Sequence, residues 1–211
     1  MKAAIFDMDG TLLDSMEMWV SLETDLLKEK NIEQPPELRS VLEKLSLEKG
    51  AKYIAENFPL NMTADEVFSA WNQKIDEMFR TKVKLKPSTR EYLGYLKSQG
   101  IKMCVATLTD HYHATSALKA HDILKYFEFI ITVAEVGKSK KHPNIYLKAA
   151  EKMGVKADDC TVFEDSLYAC RTAKSAGFTV YGIKDTFSNV SVEEMKKTTD
   201  KFVKDFEELL V

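Results

Sequence analysis

The chain has 211 residues, 45% of them hydrophobic and 30% charged, and a formal net charge of -3 from 30 basic and 33 acidic side chains. That length fits one large domain or one domain carrying a smaller insert, and the apolar share excludes a disordered chain. Near-balanced charge, with no basic cluster interleaved with aromatics, argues against nucleic acid as a partner; the run from Lys138 to Lys141 is too short for that role.

Ala3-Ala4-Ile5-Phe6 is predicted as a short buried strand that ends at Asp7-Met8-Asp9-Gly10-Thr11. This apolar run is too short for a signal-peptide core, and no stretch is long enough to span a bilayer, so a cytoplasmic location is expected. From Met16 to about Val83 apolar residues recur at helical spacing, with breaks expected at Gln34-Pro35-Pro36, at Gly50 and from Pro59 to Thr63. Thr63 is a predicted N-cap with Glu66 three residues later. Helix is then predicted for Pro87 to Gln99, strand for Ile101 to Ala106, helix for Ala114 to Ala120 and strand for Phe129 to Thr132. Helix follows for Pro143 to Met153, strand for Cys160 to Phe163, helix for Leu167 to Ala176 and strand for Phe178 to Tyr181. Cys104, Cys160 and Cys170 show neither disulfide nor zinc spacing and read as small buried hydrophobes.

Strands alternating with helices predict an α/β fold, a doubly wound parallel sheet. The helical stretch is an insertion in it, giving a core of residues 1–15 and 85–211 and a helical cap of 16–84. The segments from Asp14 to Met16 and from Lys82 to Lys86 are expected to act as hinges, with cap closure excluding water.

The sharpest local signal is Asp7-x-Asp9-Gly10-Thr11 at the end of the first strand. Residues two apart in an extended segment point the same way, so Asp7 and Asp9 can share one site. Ligands of doubly wound sheets bind beyond the carboxyl ends of the strands. Two carboxylates there can hold a hard cation, and one can attack phosphorus. Alone, the motif is equally compatible with an acidic helix-capping turn. A calcium loop is disfavoured, since Gly10 comes too early and a strand precedes it. Thr107, Lys140 and Glu164-Asp165 fall at predicted strand ends or in the loops beyond them. They supply a phosphoryl-binding hydroxyl and amide, a neutralising cation and further metal-binding oxygens, which is what phosphoryl transfer requires.

Four segments in this order resemble the haloacid dehalogenase superfamily, in the branch with a small helical cap after the first strand that includes beta-phosphoglucomutase-like and phosphoglycolate-phosphatase-like proteins. They are Asp7-Met8-Asp9-Gly10-Thr11-Leu12-Leu13-Asp14-Ser15, Val105-Ala106-Thr107, Lys140-Lys141-His142-Pro143-Asn144-Ile145-Tyr146 and Val162-Phe163-Glu164-Asp165-Ser166. The resemblance implies a HAD-like Rossmannoid core and a Mg²⁺-dependent phosphatase acting on a small phosphorylated metabolite through an aspartyl-phosphate. It implies Asp7 as nucleophile and Asp9 as acid and base, with the Asp9 carbonyl on the metal. Thr107, Leu108 and Lys140 would bind the phosphate. Asp165 would be the main acidic metal ligand, with Glu164 as a direct or water-mediated partner. The third motif departs from the family pattern at Lys141 and Asn144, so Lys138 and Lys141 are rivals of Lys140. Ala169 stands where the family commonly has glycine, and Leu108 where it has small or polar residues.

The alternative function is a beta-phosphoglucomutase-like sugar-phosphate mutase. Those mutases carry a Tyr-His pair at the start of the cap, and this chain has Met18 and Trp19 there. A different cap residue, for example Ser46 or Lys49, could supply such a gate instead. Lys44-Leu45-Ser46 occupies a region where the family's cap often reaches the active site, and reads equally as a solvated helix turn. His111 and His113 could bind metal but have no third ligand type nearby. His142 reads as a loop residue near the entrance, and Trp19 and Trp71 as cap core. The implied assembly is a monomer or weak dimer.

Overall fold

The computed structural model describes residues 1–42, 45–187 and 190–210; Lys44 of the expected cap segment lies outside them. The chain divides into two compact units, Met1–Ser15 with Val83–Val211 and Met16–Lys82.

In chain order the elements are β1 (Ala3–Phe6), β2 (Leu13–Asp14), α1 (Met16–Glu29), α2 (Leu38–Leu42), α3 (Leu47–Asn57), α4 (Ala64–Thr81), β3 (Lys84–Leu85), α5 (Thr89–Ser98), β4 (Lys102–Thr107) and α6 (His111–Ala120). They continue as β5 (Ile130–Thr132), α7 (Val133–Val136), α8 (Asn144–Met153), β6 (Cys160–Glu164), α9 (Leu167–Ser175), β7 (Thr179–Ile183), α10 (Val192–Thr198) and β8 (Lys201–Val203). Six strands form one sheet in the order β5-β4-β1-β6-β7-β8, with every neighbouring pair parallel. The predicted doubly wound parallel sheet is therefore present. It has one more strand than the sequence reading gave, because β8 carries only three residues and sits at the edge.

The chain builds from β1 outward through β4 to β5, then returns to the far side of β1 with β6. The strand order therefore reverses at β1, the place at which sheets of this kind bind ligands beyond the carboxyl ends of the strands. Alternation along the strands sorts the side chains. Ala3 and Ile5 of β1, Cys104 and Ala106 of β4, and Cys160 and Val162 of β6 join one apolar cluster with Ile145, Tyr146, Ala149 and Met153 of α8. Phe6 stacks on Phe163 at 4.4 Å between ring centroids, in an aromatic group with Tyr92 and Phe206. The three cysteines are buried and free.

A second small sheet, unforeseen in the sequence, pairs β2 with β3 antiparallel, Leu13 opposite Leu85 and Asp14 opposite Lys84. Two-residue strands carry no periodicity to read.

The Met16–Lys82 unit is built of α1 to α4. Thr63 and Glu66 form the expected capping box: the Thr63 hydroxyl accepts from the Glu66 amide, and Glu66 accepts from the Thr63 amide at 2.7 Å. The break expected at Gly50 is absent. Gly50 lies inside α3, where a side-chain carbon would come within 3.2 Å of the Trp71 ring of α4. Glycine there serves close helix approach and does not end the helix. Trp71 is buried, and Trp19 meets Phe79 edge to face at 6.3 Å. Among the described residues no helix is long and apolar enough to cross a membrane.

Candidate active site

The alternation that packs Ala3 and Ile5 against α8 carries two residues further, to Asp7, and the alternation of Cys160 and Val162 carries on to Glu164. Both carboxylates thus emerge on the α8 face at the carboxyl ends of adjacent strands. The backbone continues the β1–β6 ladder past the strand, with the Asp7 amide donating to the Phe163 carbonyl at 2.9 Å. Gly10, at φ 81°, turns the chain back so that the Leu12 and Leu13 amides both donate to the Met8 carbonyl.

Lys140, just before α8, is 1% exposed. Its ammonium donates to Oδ1 of Asp7 and to Oε1 of Glu164, the latter at 2.6 Å. Of the three lysines in that stretch only Lys140 is buried; Lys138 and Lys141 are exposed. One oxygen each from Asp7, Glu164 and Asp165 lies within 4.8 Å of the others, and all three residues are buried. Three buried carboxylates face one ammonium. Burial, offset in part by Lys140 but reinforced by Glu164 and Asp165, pushes the Asp7 carboxyl well above its ordinary pKa. Burial first, and Glu164 next, push Asp165 up to about 7. Burial works against the Lys140 charge, but Asp7 and Glu164 outweigh it and hold the ammonium above the usual lysine value. An all-oxygen, net-negative donor set of this kind fits a hard divalent cation.

Asp9 is placed differently from Asp7. Its Oδ1 accepts from the Ser15 hydroxyl and its Oδ2 from the Thr109 hydroxyl, each at 2.6 Å. Thr107 is the last residue of β4 and fully buried; its oxygen accepts from the Thr109 amide at 3.0 Å, which leaves the hydroxyl proton available to donate. Leu108, next to it, is 57% exposed.

His111 and His113 form no metal group. Asp110 caps α6, accepting from the His113 amide at 3.0 Å and pairing with the His113 ring at 2.5 Å, while His111 is exposed. Among the described residues, Asp7, Glu164 and Asp165 are the one group of three or more potential ligands. Ser46 caps α3, accepting from the Lys49 amide. Three residues in contact with the site had no role in the sequence reading: Ser15, Thr109 and Tyr146. Tyr146 is fully buried and donates to Oε1 of Glu164 at 2.7 Å. Thr109 carried a usable signal, since it lies two residues beyond Thr107. A tyrosine six residues after a lysine carried none.

A family model described as haloacid dehalogenase-like hydrolase matches residues 4–183. The chain is 28% identical over 184 residues to a phosphorylated carbohydrates phosphatase of Thermotoga maritima, covering 87% of this chain and 85% of that protein. It is 28% identical over 177 residues to hexitol phosphatase B of Escherichia coli, covering 82% and 79%. The crystal structure of a candidate beta-phosphoglucomutase from Thermotoga maritima superposes with a TM-score of 0.80 at 27% identity, over 97% of this chain and 94% of that one.

Proposed function

The chain belongs to the haloacid dehalogenase-like hydrolase family, and on that premise we propose that it is a Mg²⁺-dependent phosphatase of a small phosphorylated metabolite, acting through an aspartyl-phosphate on Asp7. The observation that carries this reading is the Lys140 ammonium bonded to both Asp7 and Glu164 inside a buried group of three carboxylates.

In the proposed reaction a carboxylate oxygen of Asp7 attacks phosphorus as the bond to the leaving oxygen breaks. Asp9 gives that oxygen its proton and becomes a carboxylate. Asp9 then takes a proton from water, whose oxygen attacks the phosphorus of the aspartyl-phosphate. Inorganic phosphate leaves and the Asp7 carboxylate returns. Lys140 and the Thr107 hydroxyl donate to the phosphoryl oxygens, with the amide beside them at Leu108, and so stabilise charge that is spread over those oxygens in the transition state. Ser15 and Thr109 hold the Asp9 carboxylate in place through the two steps. Asp7, Asp165, Glu164 and the Asp9 carbonyl would hold Mg²⁺, which neutralises phosphoryl charge when bound.

Phosphorylated carbohydrates and a hexitol phosphate are the substrates named for two relatives, and a sugar or polyol phosphate is the class proposed for this chain. Hydrolysis is favoured over the mutase alternative because Met18 and Trp19 stand where the mutases carry Tyr-His, and indole offers only a donor. The test follows inorganic phosphate release from a panel of phosphorylated metabolites, with and without Mg²⁺. Chelator-sensitive phosphate release from sugar or polyol phosphates is expected. Given beta-glucose 1-phosphate with a trace of the 1,6-bisphosphate, glucose 6-phosphate formed much faster than inorganic phosphate would overturn the hydrolase reading.

A further inference from the structure

We infer that Tyr146 is a positioning residue of this site: its hydroxyl and the Lys140 ammonium together fix Oε1 of Glu164, which turns the other carboxylate oxygen, Oε2, to the cation. This rests on the metal-dependent reading above and adds a residue to it.

Oε1 of Glu164 accepts from Lys140 at 2.6 Å and from Tyr146 at 2.7 Å. A carboxylate oxygen offers about two lone-pair sites, so these two donors fill it. A cation is then left the other oxygen. Both donors come from one segment, the turn before α8 and its first turn, so one rigid piece of chain grips the glutamate at two points. Tyr146 is itself immobile: it is fully buried, its ring meets Phe178 edge to face at 6.2 Å, and its neighbours Ile145 and Ala149 lie in the sheet-facing apolar cluster. Lys140 also bonds Asp7, so it alone does not dedicate itself to orienting Glu164. The phenol has a single proton to give and gives it to Glu164. A buried tyrosine that had merely found an acceptor for its hydroxyl would affect stability only.

Tyr146→Phe keeps the ring and deletes the donor. Calorimetric titration of the full chain with Mg²⁺ should show Kd raised by about tenfold, the scale of partners that orient metal ligands. The KM for p-nitrophenyl phosphate at saturating Mg²⁺ should stay close to wild type. In a Glu164→Gln background the same substitution should have no further effect on Mg²⁺ affinity, since it acts through Glu164. Unchanged Mg²⁺ affinity with a lowered thermal midpoint would reduce Tyr146 to a core residue and overturn the inference. An equal loss in the Glu164→Gln background would overturn it as well. Wild-type protein that neither binds Mg²⁺ nor needs it for turnover would overturn the reading of the whole site, a result distinct from an indifferent Tyr146→Phe in a Mg²⁺-dependent enzyme.

Discussion

Two lysines, Lys86 and Lys140, are buried in the sheet-bearing unit, and their surroundings differ in the balance of charge. Lys86, just past β3, bonds Oδ1 of Asp185 at 3.2 Å and the Lys184 carbonyl at 3.3 Å, and reaches Asp14 at 3.4 Å. The Asp185 side chain is 1% exposed and its other oxygen accepts from the Phe187 amide, whereas half of the Asp14 side chain is in solvent. Charge there is balanced one to one in the interior, with backbone groups completing the bonds. Lys140 faces Asp7, Glu164 and Asp165, all buried, and the excess negative charge lifts the Asp7 and Asp165 carboxyls above their ordinary pKa values on top of burial. Breaking the balanced pair leaves an uncompensated buried charge, whereas the unbalanced group still carries excess negative charge with its lysine in place.

That contrast predicts where a substitution is felt. The largest effect is expected for Asp7→Asn: turnover of any phosphoester should fall by about 10⁴-fold or more, because the amide cannot form the covalent intermediate. The far-ultraviolet dichroism and thermal midpoint should stay near wild type, and near-normal turnover in a folded variant would remove Asp7 as nucleophile. Lys140→Ala should cost at least about 10²-fold in kcat/KM, or roughly 2.7 kcal/mol of transition-state stabilisation. If Lys141→Ala were the crippling change and Lys140→Ala mild, the assignment of the lysine would be wrong.

Lys86→Met sharpens the comparison from the other side. It leaves Asp185 buried without its cation and should lower unfolding free energy by about 3 kcal/mol, read from denaturant midpoints. Turnover should change far less than in Lys140→Ala; a larger kinetic loss at Lys86 would erase the distinction between the two sites. The last comparison concerns the proposed metal. Mg²⁺ at a hundred times its Kd should stabilise the wild type by about 2.7 kcal/mol. Asp165→Asn should gain much less, and an equal gain would place the cation elsewhere.

The site was legible in the sequence where chemistry is written into strand ends. Asp7, Thr107 and Glu164 each end or follow a run of apolar residues, and period-two alternation turns such a run into a direction. The meeting of Ser15 and Thr109 at Asp9 was not legible, although the place of Thr109 two residues beyond Thr107 was. Ser15 comes from the end of β2 and Thr109 from the turn after β4, and they meet at Asp9 because the turn at Gly10 brings one back and the parallel pairing of β1 with β4 sets the other alongside. Gly50 was misread for a related reason. Glycine in a helical pattern reads as a stop until the partner helix is known, and only Trp71 in α4 shows that the missing side chain makes room.

By itself the sequence determined the order of the five longer strands of the main sheet, the helices that follow most of them and the residue types the proposed chemistry needs, because hydrophobic periodicity and short motifs are local and survive in one dimension. Only the tertiary structure decided which lysine is buried between carboxylates, which hydroxyls grip Asp9 and that Tyr146 shares an oxygen of Glu164 with Lys140. Those outcomes depend on which strands become neighbours and on the burial that follows. A lysine 133 residues from Asp7 becomes its partner only once β1 and β6 lie side by side beneath α8.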